Sequence, residues 1–164
     1  MTAPIHCRAA TKADLPDILR LHAQPDMDDG QSLSLAEAEQ VFDRMARYPD
    51  YRLYVAIRDG RIVGTFALLI MDNLGHRGAP SGVIEDVAVD PHCQGQGIGK
   101  AMMQHALGLC GEKGCYKVAL SSSLKRARAH AFYDALDFER HGYSFKIAPP
   151  PSLPDDADAR FPHT

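Results

Sequence analysis

The chain has 164 residues, 45% of them hydrophobic and 24% charged, with a net charge of −3 and a sequence pI near 6.2. That length suits one domain able to bury a core without disulfides or metals. The composition excludes a disordered chain. It offers no basic field for non-specific nucleic-acid binding and no apolar run of the roughly 18 residues that a membrane span needs.

Met1 to Arg8 has neither the basic start nor the apolar centre of a signal peptide. The four cysteines, at 7, 93, 110 and 115, form no CxxC pair, and the eight histidines are scattered with no HExxH among them. Reduced thiols, a cytoplasmic setting and no metal site are the expectations.

A first strand is predicted around Ile5. Thr11 and Asp14 have capping-box spacing, and Leu15, Ile18, Leu19 and His22 then share one helical face. Ser34 and Glu37 repeat the start signal before Leu35, Ala38, Val41, Phe42 and Met45. The acidic stretch Pro25 to Gly30 between these helices reads as a solvated loop. Tyr51 to Ile57 and Arg61 to Met71 are strands joined at Asp59-Gly60, a two-residue hairpin turn. A connection over Asp72 to Gly82 leads to a strand over Val83 to Val89. After a turn at Asp90-Pro91 comes a long amphipathic helix from Ile98, ending near Gly114. Lys117 to Leu120 reads as a strand, Arg128 to Leu136 as a helix, and Tyr143 to Ile147 as a last strand stopped by Pro149-Pro150-Pro151. The expected architecture is mixed α/β (α+β), with a mostly antiparallel central sheet flanked by about four helices. The domain is placed at 1–148, followed by a Pro-rich acidic tail at 149–164.

Between the Val83 strand and the long helix lies Gln94-Gly95-Gln96-Gly97-Ile98-Gly99-Lys100. Glycines here let the backbone approach a ligand closely, successive N–H groups point inward, and the helix start adds partial positive charge, which together suit a phosphate. No GxxxxGK[ST] is present. The GxGxG spacing after antiparallel strands does not fit a dinucleotide-binding βαβ unit either.

Gln94, Gly97 and Gly99 fill the [RQ]xxGx[GA] pattern of the GNAT superfamily of acetyl-coenzyme A-dependent N-acetyltransferases, which the segment from Val83 onward resembles. Ala131 to Phe138 resembles the family's FYxxxGF segment, and the resemblance covers roughly residues 5 to 147. Asp137 stands where the family has Gly, at a position expected to need φ > 0, which Asp tolerates better than most residues. Arg126 stands where a helix-start Asn is common. The resemblance implies a single GNAT-type domain, a homodimer, and acetyl-CoA as cosubstrate. It places acetyl-CoA on Val87, Ala88, Val89, Gln94, Gly95, Gln96, Gly97, Ile98, Gly99, Lys100 and Arg126.

Acetyl transfer to an amine needs removal of the ammonium proton, a donor for the carbonyl oxygen, and a proton for the departing thiolate. Glu85 is the candidate base. Strict alternation puts it on one strand face with Val83, Val87 and Val89, where apolar neighbours raise a carboxylate pKa; a cross-strand ion pair or an ammonium anchor are its alternatives. Asp86, on the opposite face, reads as structural or as an anchor at a subunit boundary, and is counted with Glu85, Lys125 and Arg128 among the candidate substrate-binding residues. Tyr133 in the FY segment is the candidate acid, its alternative being a buried ring with a hydrogen-bonded tip. A main-chain N–H near Val87 is the oxyanion donor by resemblance. Lys125, Arg126 and Arg128 form a basic cluster, read as a solvated flank, a site for the 3′-phosphate of coenzyme A, or a grip on an acidic group of the acceptor.

Ile84 to Val89, Gln94 to Lys100 and Gly114 to Val118 are similar to glucosamine-6-phosphate N-acetyltransferases. Ser121 to Tyr133 instead resembles bacterial aminoalkylphosphonate acetyltransferases. Both acceptors join a primary amine to a phosphorus oxyanion, so the expected substrate is a small amine of that kind. Aminoglycosides, polyamines, protein amines and a non-catalytic acetyl-CoA sensor are the alternatives, and neither nucleic acid nor membrane is expected as a partner.

Overall fold

Runs rich in β-branched and aromatic residues give two long strands, β2 (Tyr51–Arg58) and β3 (Arg61–Met71). They turn at Asp59 (φ 51°) and Gly60 (φ 73°), the two left-handed residues that a type I′ hairpin requires. In this computed structural model, which describes residues 3–149, the hairpin sits at the centre of one sheet. β1 (His6–Ala9) pairs antiparallel with β2, β4 (Ser81–Val89) antiparallel with β3, and β5 (Lys117–Leu120) parallel with β4, in the order β1-β2-β3-β4-β5.

Among the described residues four α-helices pack on the sheet or on one another: α1 (Leu15–His22), α2 (Leu35–Met45), α3 (Ile98–Glu112) and α4 (Ala127–Asp134). Alternation along β2 divides the core. Tyr54 and Ala56 face a cluster with Phe66, Leu68, Ile84 and the α3 residues Ile98, Met102, Met103 and Ala106. Val55 faces the other way, onto Leu15 and Ile18 of α1 and Ala38 of α2. Full burial of side chains such as Phe66 and Leu68 contributes about 1.5–3 kcal/mol each. α3 lies close against β3 because Gly64 has no side chain: a Cβ there would stand 2.8 Å from the Met102 sulfur and 3.0 Å from Ile98 Cγ2.

Ser34 and Glu37 form the predicted capping box, with Ser34 N–H donating to Glu37 at 2.9 Å and Glu37 N–H to Ser34 Oγ at 3.3 Å. The Thr11 N–H donates to Asp14 at 2.8 Å, and a 3₁₀ turn over Lys12–Asp14 precedes α1. Asp137 has φ 61°, as its place in the FY segment required.

Three expectations need correction. β4 begins at Ser81 because Ser81 and Gly82 already pair with Lys117 and Val118, so the connection before it is shorter than predicted. α4 starts one residue earlier, at Ala127, and ends at Asp134. The last strand over Tyr143 to Ile147 is absent: Tyr143, Phe145 and Ile147 are 92%, 91% and 81% exposed and pair with no described strand. Their alternation is a valid strand pattern, but no described strand pairs with it. Of the predicted tail, residues 150–164 lie outside the described residues.

Candidate active site

β4 and β5 pair only through Ser81–Ile84 and Lys117–Leu120, and β4 then runs on to Val89 with no described partner on that side. The strands therefore open like a fork at Ile84. On its other edge β4 carries a bulge, because Ala67 faces Glu85 whereas Thr65 faces Ala88. The extra residue is accommodated at Asp86, whose φ of 51° is left-handed and which Asp tolerates better than a branched side chain.

The bulge reverses the alternation, and this corrects the expected face of Glu85. Ile84 lies in the α3-side cluster, so Glu85, in register with Ala67, points to the α1 side. Val87 and Val89, beyond the extra residue, pack against the α3-side cluster instead. Glu85 shares its face with Val83, and not with Val87 or Val89. Strict period-two counting missed this because one left-handed residue inserts a half-step.

Glu85 and Asp86 are both exposed. Partial burial, and secondarily the neighbouring Asp86 carboxylate, push the Glu85 carboxyl above its usual range. Tyr51 stands in register with Leu69, itself opposite Val83, which places Tyr51 on the Glu85 side of the sheet. Burial and the negative charges of Asp86 and Glu85 raise its phenol. Its ring meets Tyr48 edge-on at 5.7 Å. Sequence reasoning passed over Tyr51, although strand parity across β2, β3 and β4 would have placed it beside Glu85.

At the far end of β4, Asp90 is buried and accepts from the His92 N–H at 3.0 Å and from Arg20 of α1 at 2.8 Å. Burial alone would raise its carboxyl, but the His92 N–H and the Arg20 guanidinium hold it below its usual range. Gln24 adds a 3.1 Å bond to the Val89 carbonyl. The C-terminal part of α1 thus fixes where β4 delivers the chain into the glycine-rich turn.

In that turn Gly95 (φ 74°) and Gly97 (φ 83°) are left-handed, and Gly97 is the N-cap of α3 with no side-chain cap. The first backbone bond of the helix runs from Ala101 N–H to the Gly97 carbonyl at 3.0 Å. None of the N–H groups from Gln94 to Lys100 meets a backbone or side-chain acceptor among the described residues. A row of unpaired N–H groups at a helix start fits a diphosphate.

Gly99 serves a different purpose. A Cβ on it would lie 2.9 Å from Phe132 Cζ, so its bare backbone is the seat of the Phe132 ring and brings α4 against α3. Tyr133, next in sequence, is half-buried on the α3-side cluster, edge-on to Phe132 at 5.1 Å and to Phe138 at 5.6 Å. Its hydroxyl makes no hydrogen bond within the described residues. Burial raises the phenol against a smaller opposing pull from Arg126.

The Arg126 side chain donates to the main-chain carbonyl of Asp26, tying the start of α4 to the acidic loop between α1 and α2. Lys100, Lys125 and Arg128 are exposed and form no ion pair among the described residues. The structure places Glu85 on the α1 side of β4, Tyr133 in the α3-side cluster, and the N–H row at the α3 start.

Such a fork beside an uncapped helix start is the frame of an acyl-transfer domain, and residues 15–138 match the Acetyltransferase (GNAT) family. The chain belongs to that family. It is 44% identical over 88 residues to a glucosamine 6-phosphate N-acetyltransferase of Trypanosoma brucei brucei, covering 54% of this chain and 58% of that one. The chain therefore spans less than two thirds of that relative. It is 30% identical to an aminoglycoside N(6′)-acetyltransferase type 1 of Stenotrophomonas maltophilia, covering 80% and 84% of the two chains. A structure from Agrobacterium tumefaciens superimposes with a TM-score of 0.82 at 32% identity, covering 88% of this chain and 99% of that one.

Proposed function

We propose that the protein is an acetyl-CoA-dependent N-acetyltransferase for a small primary amine, with direct transfer at the fork between β4 and β5. The observation that carries this reading is the unpaired N–H row from Gln94 to Lys100 at the start of the helix on which Phe132, the neighbour of Tyr133, is seated. Acetyl-CoA, when bound, supplies the activated acetyl group. The N–H row holds the diphosphate, with Lys100 adding positive charge. Val87, Ala88 and Val89 offer the unpaired edge of β4 to the rest of the coenzyme, and a main-chain N–H near Val87 faces the carbonyl oxygen. Glu85 accepts the ammonium proton through water, its raised pKa bringing it nearer the working range of a base. Tyr133 donates a proton to the departing sulfur.

Within this reading the acceptor is an amino-sugar phosphate or an aminoalkylphosphonate. The partial matches to enzymes named for glucosamine 6-phosphate and aminoalkylphosphonate support it, and so do the free cations Lys125 and Arg128. The relative named for aminoglycosides supports the other acceptor class, for which the carboxylates of Glu85 and Asp86 provide the complementary charge. Free-thiol release from acetyl-CoA, followed with glucosamine 6-phosphate, 2-aminoethylphosphonate and an aminoglycoside, decides between them. Tight coenzyme binding with no release across that panel would make the domain a sensor and overturn the enzymatic reading.

The homodimer belongs to the same proposal. Exposed Tyr143, Phe145 and Ile147, together with an edge strand β5 that has no outer partner among the described residues, support pairing between two copies. Sedimentation of the full chain at micromolar concentration tests it, and a monomer would refute it.

A further inference from the structure

We infer that Arg58 is a positioning residue for the diphosphate turn, holding it through Gln96 and setting a fixed positive charge behind the row of N–H groups. The inference rests on the reading of that turn as the coenzyme's diphosphate site.

Period two along β2 carries Tyr54, Ala56 and then Arg58 along the α3-facing side of the strand, with the Arg at the end nearest the α3 start. Its guanidinium donates to Gln96 Oε1 at 2.6 Å and reaches Cys93 Sγ at 3.6 Å. Gln96 in turn donates from Nε2 to the His92 carbonyl at 3.1 Å. One amide side chain thus ties both the start of the turn and the β2–β3 hairpin to residue 96.

The location of that tie matters. Gln96 lies between Gly95 and Gly97, the two left-handed glycines that allow the N–H row to form and would equally allow the turn to wander. Anchoring the residue between them removes that freedom at folding, so it is not lost when the ligand arrives. The other terminal nitrogen of Arg58, Nη1, is buried with no hydrogen-bond partner among the described residues. A cation left short of an acceptor beside a row of open N–H groups raises the local affinity for an anion. The resemblance places Gln96 among the coenzyme contacts. Its side chain is engaged in this staple, leaving its N–H for the ligand.

Calorimetric titration with coenzyme A and steady-state kinetics on the full chain test the inference with Arg58→Ala, Arg58→Lys, Gln96→Ala and the Ala double variant. A hydrogen bond from a charged donor sets the scale, so Arg58→Ala is expected to weaken coenzyme A binding and raise KM for acetyl-CoA about tenfold or more. The expected kcat stays within about threefold, and KM for the acceptor is unchanged. Arg58→Lys keeps the charge without the fork and should fall between wild type and Ala. Gln96→Ala, on the exposed turn, weakens binding with little effect on the melting temperature, so it decides the matter if Arg58→Ala fails to fold. The double variant should be no weaker than Arg58→Ala by more than about twofold, because the two residues act in series. Wild-type affinity in Arg58→Ala or in Gln96→Ala, or strictly additive losses, would overturn the inference while the diphosphate reading stands. Failure of the wild-type protein to bind coenzyme A would instead remove that reading, and this inference with it.

Discussion

Phe132 sits where a side chain on Gly99 would be: its Cζ is 2.9 Å from the position of a Cβ on that glycine. This contact locks α4 onto the first turn of α3, and so couples the tyrosine next to Phe132 to the helix start that carries the open N–H row. Gly99→Ala gains helix propensity of up to about 1 kcal/mol, but the ring has to move, and overpacking of this kind costs about 1–3 kcal/mol. The expected outcome is a lower melting temperature and a kcat reduced about tenfold, because displacing a reacting group by less than about 1 Å has effects on that scale. Gly99→Ala combined with Phe132→Leu should recover much of both losses, since the smaller side chain relieves the overlap. An additive double variant would show that the two positions do not communicate.

Tyr133→Phe isolates the hydroxyl from the ring. The ring's contacts with Phe132 and Phe138 remain, so stability should be nearly unchanged. General-acid contributions are about 10²–10⁴-fold, and kcat is expected to fall within that range while KM for acetyl-CoA changes little. The phenol is held above its ordinary value by burial, so the wild-type enzyme keeps the protonated acid through neutral pH, with its alkaline limb above the usual tyrosine range. An unchanged kcat in the Phe variant would refute the acid role.

For Glu85 the sign runs the other way. A base works only when deprotonated, and burial together with Asp86 raises the pKa of this carboxyl. Activity should therefore climb with pH through a value above the ordinary carboxylate range. Glu85→Gln should abolish that acidic limb and lower kcat/KM. Asp86→Asn takes away the smaller of the two effects raising the pKa and should move the limb slightly to lower pH. An acidic limb that survives unchanged in Glu85→Gln would leave Glu85 as an ammonium anchor.

Much of this is legible in the residues themselves. Asp59-Gly60 between two alternating runs can hardly be anything but a hairpin. Lys117–Leu120 is a strand to the residue, and α3 starts at Ile98 as the glycine-rich turn demands. The face of Glu85 is not legible, because Asp86 looks like any other strand residue until its pairing with β3 shows the extra position. The Arg58–Gln96 staple is hidden for a similar reason, since it joins residues 38 apart through a fold that strand patterns alone do not orient. Tyr143 to Ile147 fails in the opposite sense: the pattern is that of a strand, but a strand is a relation to a neighbour, and none of the described residues supplies one.

The acid stability of the domain should rest in good part on Asp14. Its carboxylate accepts two bonds from Arg8, at 2.7 and 2.9 Å, and another from the Thr11 N–H, which joins β1 to the turn before α1. Hydrogen bonding from Arg8 is the leading cause that lowers its pKa from 3.8 to about 2. A depressed folded-state pKa stabilises the protein above the unfolded value and ceases to do so as pH falls through the folded one. With the Arg8 side chain 38% exposed, solvent screening leaves a contribution of about 1–2 kcal/mol. Urea unfolding of wild type and Asp14→Asn should therefore differ by about that amount at pH 7. The difference should hold down to about pH 5 and shrink as pH falls from about 4 toward 2. A gap that stays constant over this range would mean that the ion pair is not its source, and that the Asp14→Asn variant is destabilised through the lost Thr11 cap alone.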